Sequence, residues 1–228
     1  MSTIADNLSA LANRIESAAR AAGREPASVQ LLAVSKTKPA SAIREIHAAG
    51  VRDVGENYLQ EALAKQDELR DLPLIWHFIG PIQSNKTKAI AEHFDWVHSV
   101  DRLKIAQRLS EQRPAGLAPL NICLQVNVSG EDSKSGCAPA DLPALAKAVA
   151  ALPNLRLRGL MAIPEPTDDR AAQEAAFASL RRLQEGLDLD CDTLSMGMSH
   201  DLEAAIAQGA TWVRIGTALF GARNYGPA

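Results

Sequence analysis

Lys36 occupies a position in the sequence that suggests covalent chemistry. The segment LLAVSKTKP, residues 31–39, places an apolar run directly before Ser35 and Lys36. A lysine amine that is partly withdrawn from water and close to another cation has a lowered pKa, and it can then attack an aldehyde to form a Schiff base. The alternative is a solvated cation that merely closes a strand, which is the commoner role of such a lysine.

Two turns near the end of the sequence have the composition of a phosphate site. SMGMSHD, residues 195–201, contains Gly197 and Ser199, and RIGTALFG, residues 214–221, contains Gly216 and Thr217. Glycine lets the backbone approach an anion closely, and N–H groups at a helix start donate to it. Taken singly, Ser199 can be a helix cap and Gly216 a packing glycine. Their joint occurrence favours phosphate binding.

Arg214 lies just before the second of these turns. Alternation of side chains in WVRIG, residues 212–216, puts Arg214 on the same face as Trp212 and Gly216. If that face is the interior of a barrel, the guanidinium needs a partner, because an unpaired buried charge is costly. The partner is either a carboxylate such as Glu56, in a structural ion pair, or a bound anion or heteroaromatic nitrogen.

These residues are positioned by a regular alternation of short apolar runs and helical patterns, which follows an opening amphipathic helix at about residues 3–22. The predicted strands cover residues 29–36, 51–57, 74–80, 94–100, 120–128, 155–163, 192–198 and 212–221. Such alternation is typical of a parallel sheet covered by helices. Eight units in a chain of 228 residues predict an α/β fold, a single (β/α)8 TIM barrel that forms one domain over residues 1–228. The second and seventh strands are the weakest.

In a barrel of this kind the functional groups lie at the C-terminal ends of the strands. This rule brings the lysine and both glycine-containing turns to one rim. A cofactor with an aldehyde, a phosphate and a ring nitrogen would satisfy Lys36, these turns and Arg214 together, and pyridoxal 5'-phosphate has all three groups. The residues that the rule selects are Lys36, Asn57, Gly80, Asn127, Met161, Gly197, Ser199, Gly216 and Thr217.

Composition excludes several other classes of function. The formal charge is -3 and the pI about 6.0, which offers no basic field for nucleic acid. No apolar stretch reaches the length of a membrane span and the N-terminus lacks the pattern of a signal peptide, so we expect a cytoplasmic protein without membrane contacts. Three well-separated cysteines, Cys123, Cys137 and Cys191, predict neither disulfides nor a metal site.

Eight ordered segments resemble one family over nearly the whole chain. They are LLAVSKTKP, GENYLQEA, WHFIGPIQSNK, SVDRLKIAQRL, QVNVSGEDSKSG, LRGLMAIP, LSMGMSHDLEAAI and VRIGTALFGAR. The sequence resembles the pyridoxal phosphate homeostasis protein family, small relatives of the alanine racemase N-terminal domain. The resemblance implies a barrel of that type with an extra N-terminal helix.

The same resemblance implies roles for individual residues. It implies pyridoxal phosphate as a covalent aldimine on Lys36 and Arg214 beside the pyridine nitrogen. It implies Ser199, Gly216 and Thr217 at the phosphate, with Asn57 and Met161 near the ring. His200 stands where an acid is expected, but Asp201 follows it, and we expect Asp201 to cap the next helix.

The sequence favours a carrier over an enzyme. A racemase needs a second proton-transfer group opposite Lys36, which in the larger racemases resembled here is a tyrosine of an added domain. The two tyrosines, Tyr58 and Tyr225, are not obviously placed for this. The chain ends at Ala228 soon after the last strand, so we expect no lid and an exchangeable cofactor. An arginine at the ring nitrogen would also leave that nitrogen unprotonated and weaken the electron sink.

We therefore expect a protein that stores pyridoxal phosphate, protects it and delivers it to apoenzymes through transient contacts, without turnover. The alternative is a weakly active amino-acid racemase that depends on the same cofactor. Lys38 and Lys134 are candidate secondary amines for transfer, against the simpler interpretation of solvated loop lysines. A monomer is expected, with a dimer as the alternative. His77 in WHFIG is interpreted as a strand histidine held by a hydrogen bond.

Overall fold

Within residues 3–130 and 135–221, which the computed structural model describes, eight parallel strands form a closed barrel in sequence order, with β1 paired to β8. The strands are β1 Gln30–Val34, β2 Asp53–Glu56, β3 Ile75–Phe78, β4 Trp96–Val100, β5 Leu120–Gln125, β6 Leu155–Met161, β7 Thr193–Ser195 and β8 Trp212–Ile215. The predicted barrel and its strand number are confirmed, including the short β2 and β7.

Helices cover the outside of the barrel. In the described residues they are α1 Ile4–Ala21, α2 Ala40–Ala48, α3 Leu59–Glu68, α4 Thr87–His93, α5 Leu103–Gln112, α6 Leu142–Ala150, α7 Arg170–Glu185, α8 Leu202–Ala207 and α9 Thr217–Phe220. Short 3-10 helices span Pro26–Ser28 and Ser84–Lys86. None of the helices in this part of the chain is both long and apolar enough to cross a lipid bilayer.

The predicted last strand was too long. The sequence predicts a strand over residues 212–221, but β8 ends at Ile215 and α9 begins at Thr217. Gly216 leaves the extended conformation, with φ of -112° and ψ of -71°. Its carbonyl then accepts the N–H groups of Leu219 and Phe220 at 3.1 and 2.8 Å. The apolar run after Gly216 is thus a helical turn, which apolar content alone does not distinguish from a strand.

The extra N-terminal helix is an integral part of the fold. The Thr3 side chain accepts the N–H of Asp6, and the Asp6 side chain accepts the N–H of Thr3, which forms a capping box at the start of α1. Leu11, Ile15 and Ala19 recur every four residues and are buried. Burial of each large side chain in this stripe stabilises the fold by about 1.5–3 kcal/mol, so α1 is held firmly against α8 and α9.

The two faces of β8 separate the core from the barrel interior. Val213 and Ile215 are fully buried among the residues between sheet and helices. Arg214 and Trp212 face the interior, as the alternation predicted. Trp212 lies 5.0 Å from His77 between ring centroids, and His77 is stacked on Trp96 at 5.4 Å. Aromatic and polar side chains therefore fill a space that barrels usually fill with Val, Ile and Leu.

Candidate functional site

A cavity of about 250 Å³ opens at the C-terminal rim of the barrel. Its lining includes the predicted residues Lys36, Asn57, Ser199, Arg214, Gly216 and Thr217. A larger hollow of about 550 Å³ lies on the outer surface between α1 and α8, but alanines are half of its lining residues and no predicted residue lines it. The rim cavity is the one that brings the predicted groups together.

Met161, which is expected near the ring, does not line this cavity, and neither do Gly80, Asn127 and Gly197, which the strand-end rule also selects. Met161 is the last residue of β6, and it is fully buried in the interior beside Trp96 and Cys123. The position of a residue at a strand end does not fix how deep its side chain lies in the barrel. The strand-end rule therefore selects Met161 without distinguishing the cavity mouth from the barrel interior. Its expected place near a bound ring stays a prediction.

The strand end that carries Lys36 is held from beneath by Lys65 on α3. Lys65 Nζ donates to the Ser35 carbonyl at 2.8 Å, to Glu56 Oε1 at 2.7 Å and to Glu61 Oε1 at 2.6 Å. The Ser35 hydroxyl donates to the same Glu56 oxygen. Burial raises the pKa of Glu56 even though Lys65 opposes that change. This buried charged cluster fixes the residue before Lys36.

The residue after Lys36 is fixed by the same cluster. Glu61 Oε1 accepts the N–H of Thr37 at 2.6 Å, and Thr37 has a φ of +65°. A β-branched residue in this region is strained by about 1–3 kcal/mol, and such strain persists only where surrounding contacts enforce it. Lys36, which is half-buried and lines the cavity, therefore projects from a constrained backbone.

Sequence reasoning missed Lys65. A signal existed, because Glu61 and Lys65 are four residues apart in the segment after β2, but that spacing usually indicates an exposed helical pair. The side chains here are 28% and 6% exposed, and Glu56 is fully buried. Only the packing of α3 on β2 converts an ordinary helical pair into a buried cluster.

Main-chain N–H groups of two loops converge on the cavity. Ser199, His200 and Thr217 all line it, and their N–H groups have no acceptor among the described residues. Ser199 Oγ accepts the N–H of Ala218 at 3.2 Å and so joins the loops after β7 and β8. Ser199 is therefore not the N-cap of α8, which is Asp201, and its hydroxyl instead accepts an N–H from the first turn of α9. Since α8 and α9 are only six and four residues long, an anion in this cavity would be bound by these N–H groups rather than by the helix dipoles.

Asp201 corrects one expectation. It occupies the N-cap position of α8, but its side chain makes no cap hydrogen bond. Asp201 Oδ1 instead accepts the N–H of Met198 at 2.6 Å, because the carboxylate turns back toward the preceding loop. Asp201 thus shapes the loop that carries Ser199. His200 is partly exposed beside it, with 3.7 Å between His200 Nε2 and Asp201 Oδ2.

Arg214 forms the inner wall of the cavity and is only 4% exposed. Its Nη1 donates to Ser195 Oγ at 2.9 Å and its Nη2 to the Ala162 carbonyl at 3.0 Å. Burial lowers the pKa of Arg214 to about 10, so the guanidinium is still a cation at neutral pH. The alternative partner Glu56 is wrong, because Glu56 pairs with Lys65. Arginine has five N–H donors, so donors remain for an acceptor in the cavity.

The remaining lining residues suit a flat ring with polar substituents. Val34, Ile79 and Ile163 give apolar walls. Asn57 Oδ1 is buried and has no hydrogen-bond partner in the described structure. A buried polar atom of this kind is normally satisfied, so it indicates a ligand group that completes the site. An amine, an anion cradle, a guanidinium and apolar walls together fit a heteroaromatic aldehyde that carries a phosphate.

Comparison with known proteins agrees with this chemistry. The family model described as alanine racemase, N-terminal domain, matches residues 7–224, which defines the class of barrel. The chain is 80% identical over 226 residues to the pyridoxal phosphate homeostasis protein of Pseudomonas aeruginosa, with 99% of this chain and 98% of the relative covered. It is 54% identical over 235 residues to the protein of that name in Escherichia coli (strain K12), with 99% of each covered.

A solved structure gives the same result. PipY of Synechococcus elongatus PCC7942, with pyridoxal phosphate bound, superimposes with a TM-score of 0.84 at 45% identity, covering 96% of this chain and 100% of that one. The chain belongs to the pyridoxal phosphate homeostasis protein family. The family expected from the ordered segments is thereby confirmed.

The other candidates of the sequence have different outcomes. Lys38 lines the cavity, and its Nζ donates to the Phe220 carbonyl at 3.2 Å. Tyr58 is 54% exposed and does not line the cavity. Lys134 and Tyr225 lie outside the described residues. In the described part of the chain, no group of three or more His, Cys, Asp or Glu side chains is arranged to hold a metal ion.

Proposed function

We propose that this protein binds pyridoxal 5'-phosphate as a Schiff base on Lys36 and serves in the homeostasis of that cofactor by storing it, protecting it and delivering it to apoenzymes. One observation carries the proposal: Lys36, the anion-binding loops and Arg214 line the same cavity. The cofactor would supply an electrophilic aldehyde, a phosphate and a pyridine ring. The structure of the relative PipY with pyridoxal phosphate bound supports the choice of this ligand.

Each predicted site residue that lines the cavity has a role in this proposal. Lys36 would supply the amine nitrogen that bonds to the aldehyde carbon, with the carbonyl oxygen lost as water. Ser199, Gly216 and Thr217 receive the phosphate through main-chain N–H groups and the Ser199 hydroxyl. Arg214 donates to the ring nitrogen. The buried Asn57 Oδ1, which has no partner in the described structure, fits a polar ligand group near the ring.

The same residues favour a carrier over a catalyst. Among the described lining residues, the ionisable side chains are those of Lys36, Lys38, His200 and Arg214. Lys38 is bonded to a carbonyl, Arg214 to Ser195 and Ala162, and His200 belongs to the anion-binding loop. Within the described part of the cavity lining, these contacts favour no side chain as a second base opposite Lys36. A cationic Arg214 at the ring nitrogen also disfavours protonation of that nitrogen and weakens the electron sink.

The open mouth agrees with release of the ligand. Ile163, which lines the cavity, is 41% exposed. We infer a single-domain protein over residues 1–228 that acts as a monomer in the cytoplasm, with transient contacts to apoenzymes. Lys38 is then a candidate secondary amine for transfer.

Borohydride reduction of the holoprotein tests the attachment site. Reduction fixes a Schiff base, so mass analysis of the peptides should find a pyridoxyl group on the peptide that contains Lys36. Lys36→Ala should abolish this adduct, and Lys38→Ala, which changes a second lysine of the same cavity, should retain it. A reduced adduct at other lysines alone would refute the proposed site. Steady formation of a D-amino acid or a keto acid from an L-amino acid would refute the carrier function and support the racemase alternative.

A further inference from the structure

An unbroken chain of hydrogen bonds crosses the barrel interior from Arg214 to the opposite rim. The contacts are, in order, Arg214 Nη1 to Ser195 Oγ at 2.9 Å, Ser195 Oγ to His98 Nδ1 at 2.7 Å, His98 Nε2 to His77 Nδ1 at 2.9 Å and His77 Nε2 to Asp53 Oδ1 at 2.9 Å. We call these five residues the interior relay. They come from five different strands, so the closed barrel is what brings them together.

The two ends of the interior relay set the direction of every bond in it. The Asp53 carboxylate can only accept, so His77 Nε2 carries a proton and, in a neutral ring, His77 Nδ1 accepts. His98 Nε2 must then donate, which leaves His98 Nδ1 to accept from the Ser195 hydroxyl. Ser195 Oγ is in turn free to accept from Arg214, which can only donate. Every donor therefore points from Arg214 toward Asp53.

The surroundings favour the neutral form of both imidazoles. His77, His98 and Ser195 are fully buried. Burial lowers the pKa of His77 and lowers the pKa of His98 well below its ordinary value. A cation thus lies at one end of the interior relay and a carboxylate at the other, with polarisable neutral groups between them. Successive hydrogen bonds in a chain of this kind polarise and so strengthen one another.

We propose that Asp53, His77 and His98 are positioning residues, which act through Ser195 to orient Arg214 as a donor toward the ring nitrogen of the bound ligand. This inference rests on the proposed function. The carboxylate fixes the direction of the relay, and a fixed relay keeps Ser195 Oγ as an acceptor for Arg214 Nη1. Without the carboxylate the imidazole tautomers become mixed, and His98 Nδ1–H then competes with Arg214 for Ser195 Oγ.

The test compares two ligands and two isosteric variants. The ligands are pyridoxal 5'-phosphate and its 1-deaza analogue, in which C–H replaces the ring nitrogen. The variants are Asp53→Asn, which removes the terminal carboxylate, and Asp95→Asn. Asp95 is the matched control, because its charge also acts on His77 but its Oδ2 accepts the N–H of Trp76 at 2.8 Å instead.

We expect Asp53→Asn to raise the Kd of pyridoxal 5'-phosphate roughly threefold to tenfold. This is the change in affinity expected when one hydrogen bond, from Arg214 to the ring nitrogen, is weakened. The Kd of the deaza analogue should not change, and Asp95→Asn should leave both values unchanged. Equal weakening of both ligands would show a merely structural role and overturn the proposal. Unchanged affinity for both ligands in Asp53→Asn would overturn it as well.

Nitrogen-15 NMR of the ligand-free protein tests the relay without any ligand. We expect His77 and His98 to be protonated at Nε2, and Asp53→Asn to give a mixed tautomer at His77. A proton on His98 Nδ1 in the wild-type protein would overturn the proposed direction. If the wild-type protein binds neither ligand, the proposed function fails, whereas these tautomers still decide whether the interior relay orients Arg214.

Discussion

Lys65 Nζ donates a hydrogen bond to the Ser35 carbonyl at 2.8 Å, so a lysine on α3 holds the strand end from which Lys36 projects. The same ammonium pairs with the buried Glu56 carboxylate at 2.7 Å. This contact links stability and site geometry, because removal of either charge leaves the other one buried.

Lys65→Met should lower the free energy of unfolding by about 3–5 kcal/mol, the usual cost of leaving a buried charge without its partner. Urea unfolding measures this value. Lys88→Met is the matched control, because Lys88, like Lys65, pairs with a glutamate four residues away in its helix, here Glu92 at 3.9 Å, but is 71% exposed. An exposed pair contributes at most about 0.5 kcal/mol. The double variant Lys65→Met, Glu56→Gln should recover part of the loss, and a single variant as stable as the control would contradict the role of Lys65.

The stability of the fold should decrease as the pH falls below about 6.5, the ordinary pKa of histidine. Burial lowers the pKa of His77 and His98 in the folded protein, so the unfolded chain binds more protons in this range. Stability is then complete above the unfolded pKa and is lost as the pH falls toward the folded values. Each histidine contributes a slope of up to about 1.4 kcal/mol per pH unit.

Urea unfolding at a series of pH values from neutral to mildly acidic checks this dependence. Glu56 has the opposite sign, because its pKa is raised by burial, so the wild-type slope alone does not isolate the imidazoles. His98→Asn removes one of them and should give a shallower slope than the wild-type protein. An identical slope in this variant would show that His98 does not titrate as its burial requires.

Gly197→Ala should destabilise the protein and weaken cofactor binding. Gly197 has a φ of +98°, and a Cβ there would lie 2.6 Å from the Cβ of Ala205. Gly50 is the matched control, because its φ is +99° and a Cβ there meets nothing within 4 Å. Gly50→Ala should lower the free energy of unfolding by about 1–2 kcal/mol, because alanine is strained at a positive φ. Gly197→Ala should lower it by about 1–3 kcal/mol more, because the new Cβ also overlaps Ala205. Thermal unfolding and titration with pyridoxal phosphate measure the two effects, and equal stability of the variants would contradict the steric argument.

The sequence predicts which rim the functional groups share, but not how each group is held. Regular βα alternation and a strand period of two are enough to predict that Lys36, Ser199 and Arg214 share one cavity, because parallel strands end at a common edge. Met161 shows the limit, since the rule locates strand ends and not depth. The interior relay shows another limit, because the strands of His77 and Ser195 are far apart in sequence. Only barrel closure makes them neighbours.

The contact between the loops after β7 and β8 leads to the last prediction. Ser199 Oγ accepts the N–H of Ala218 at 3.2 Å, and its hydroxyl proton has no acceptor among the described residues. Ser199→Ala should therefore remove a donor to the ligand phosphate and the bond that joins the two loops. A hydrogen bond to a charged group contributes about 1.5–3 kcal/mol, so the Kd of pyridoxal 5'-phosphate should rise roughly tenfold to a hundredfold. Pyridoxal, which lacks the phosphate, serves as the control ligand in the same titration. Its affinity should be nearly unchanged, and an equal loss for both ligands would mean that Ser199 supports the loops without contacting the phosphate.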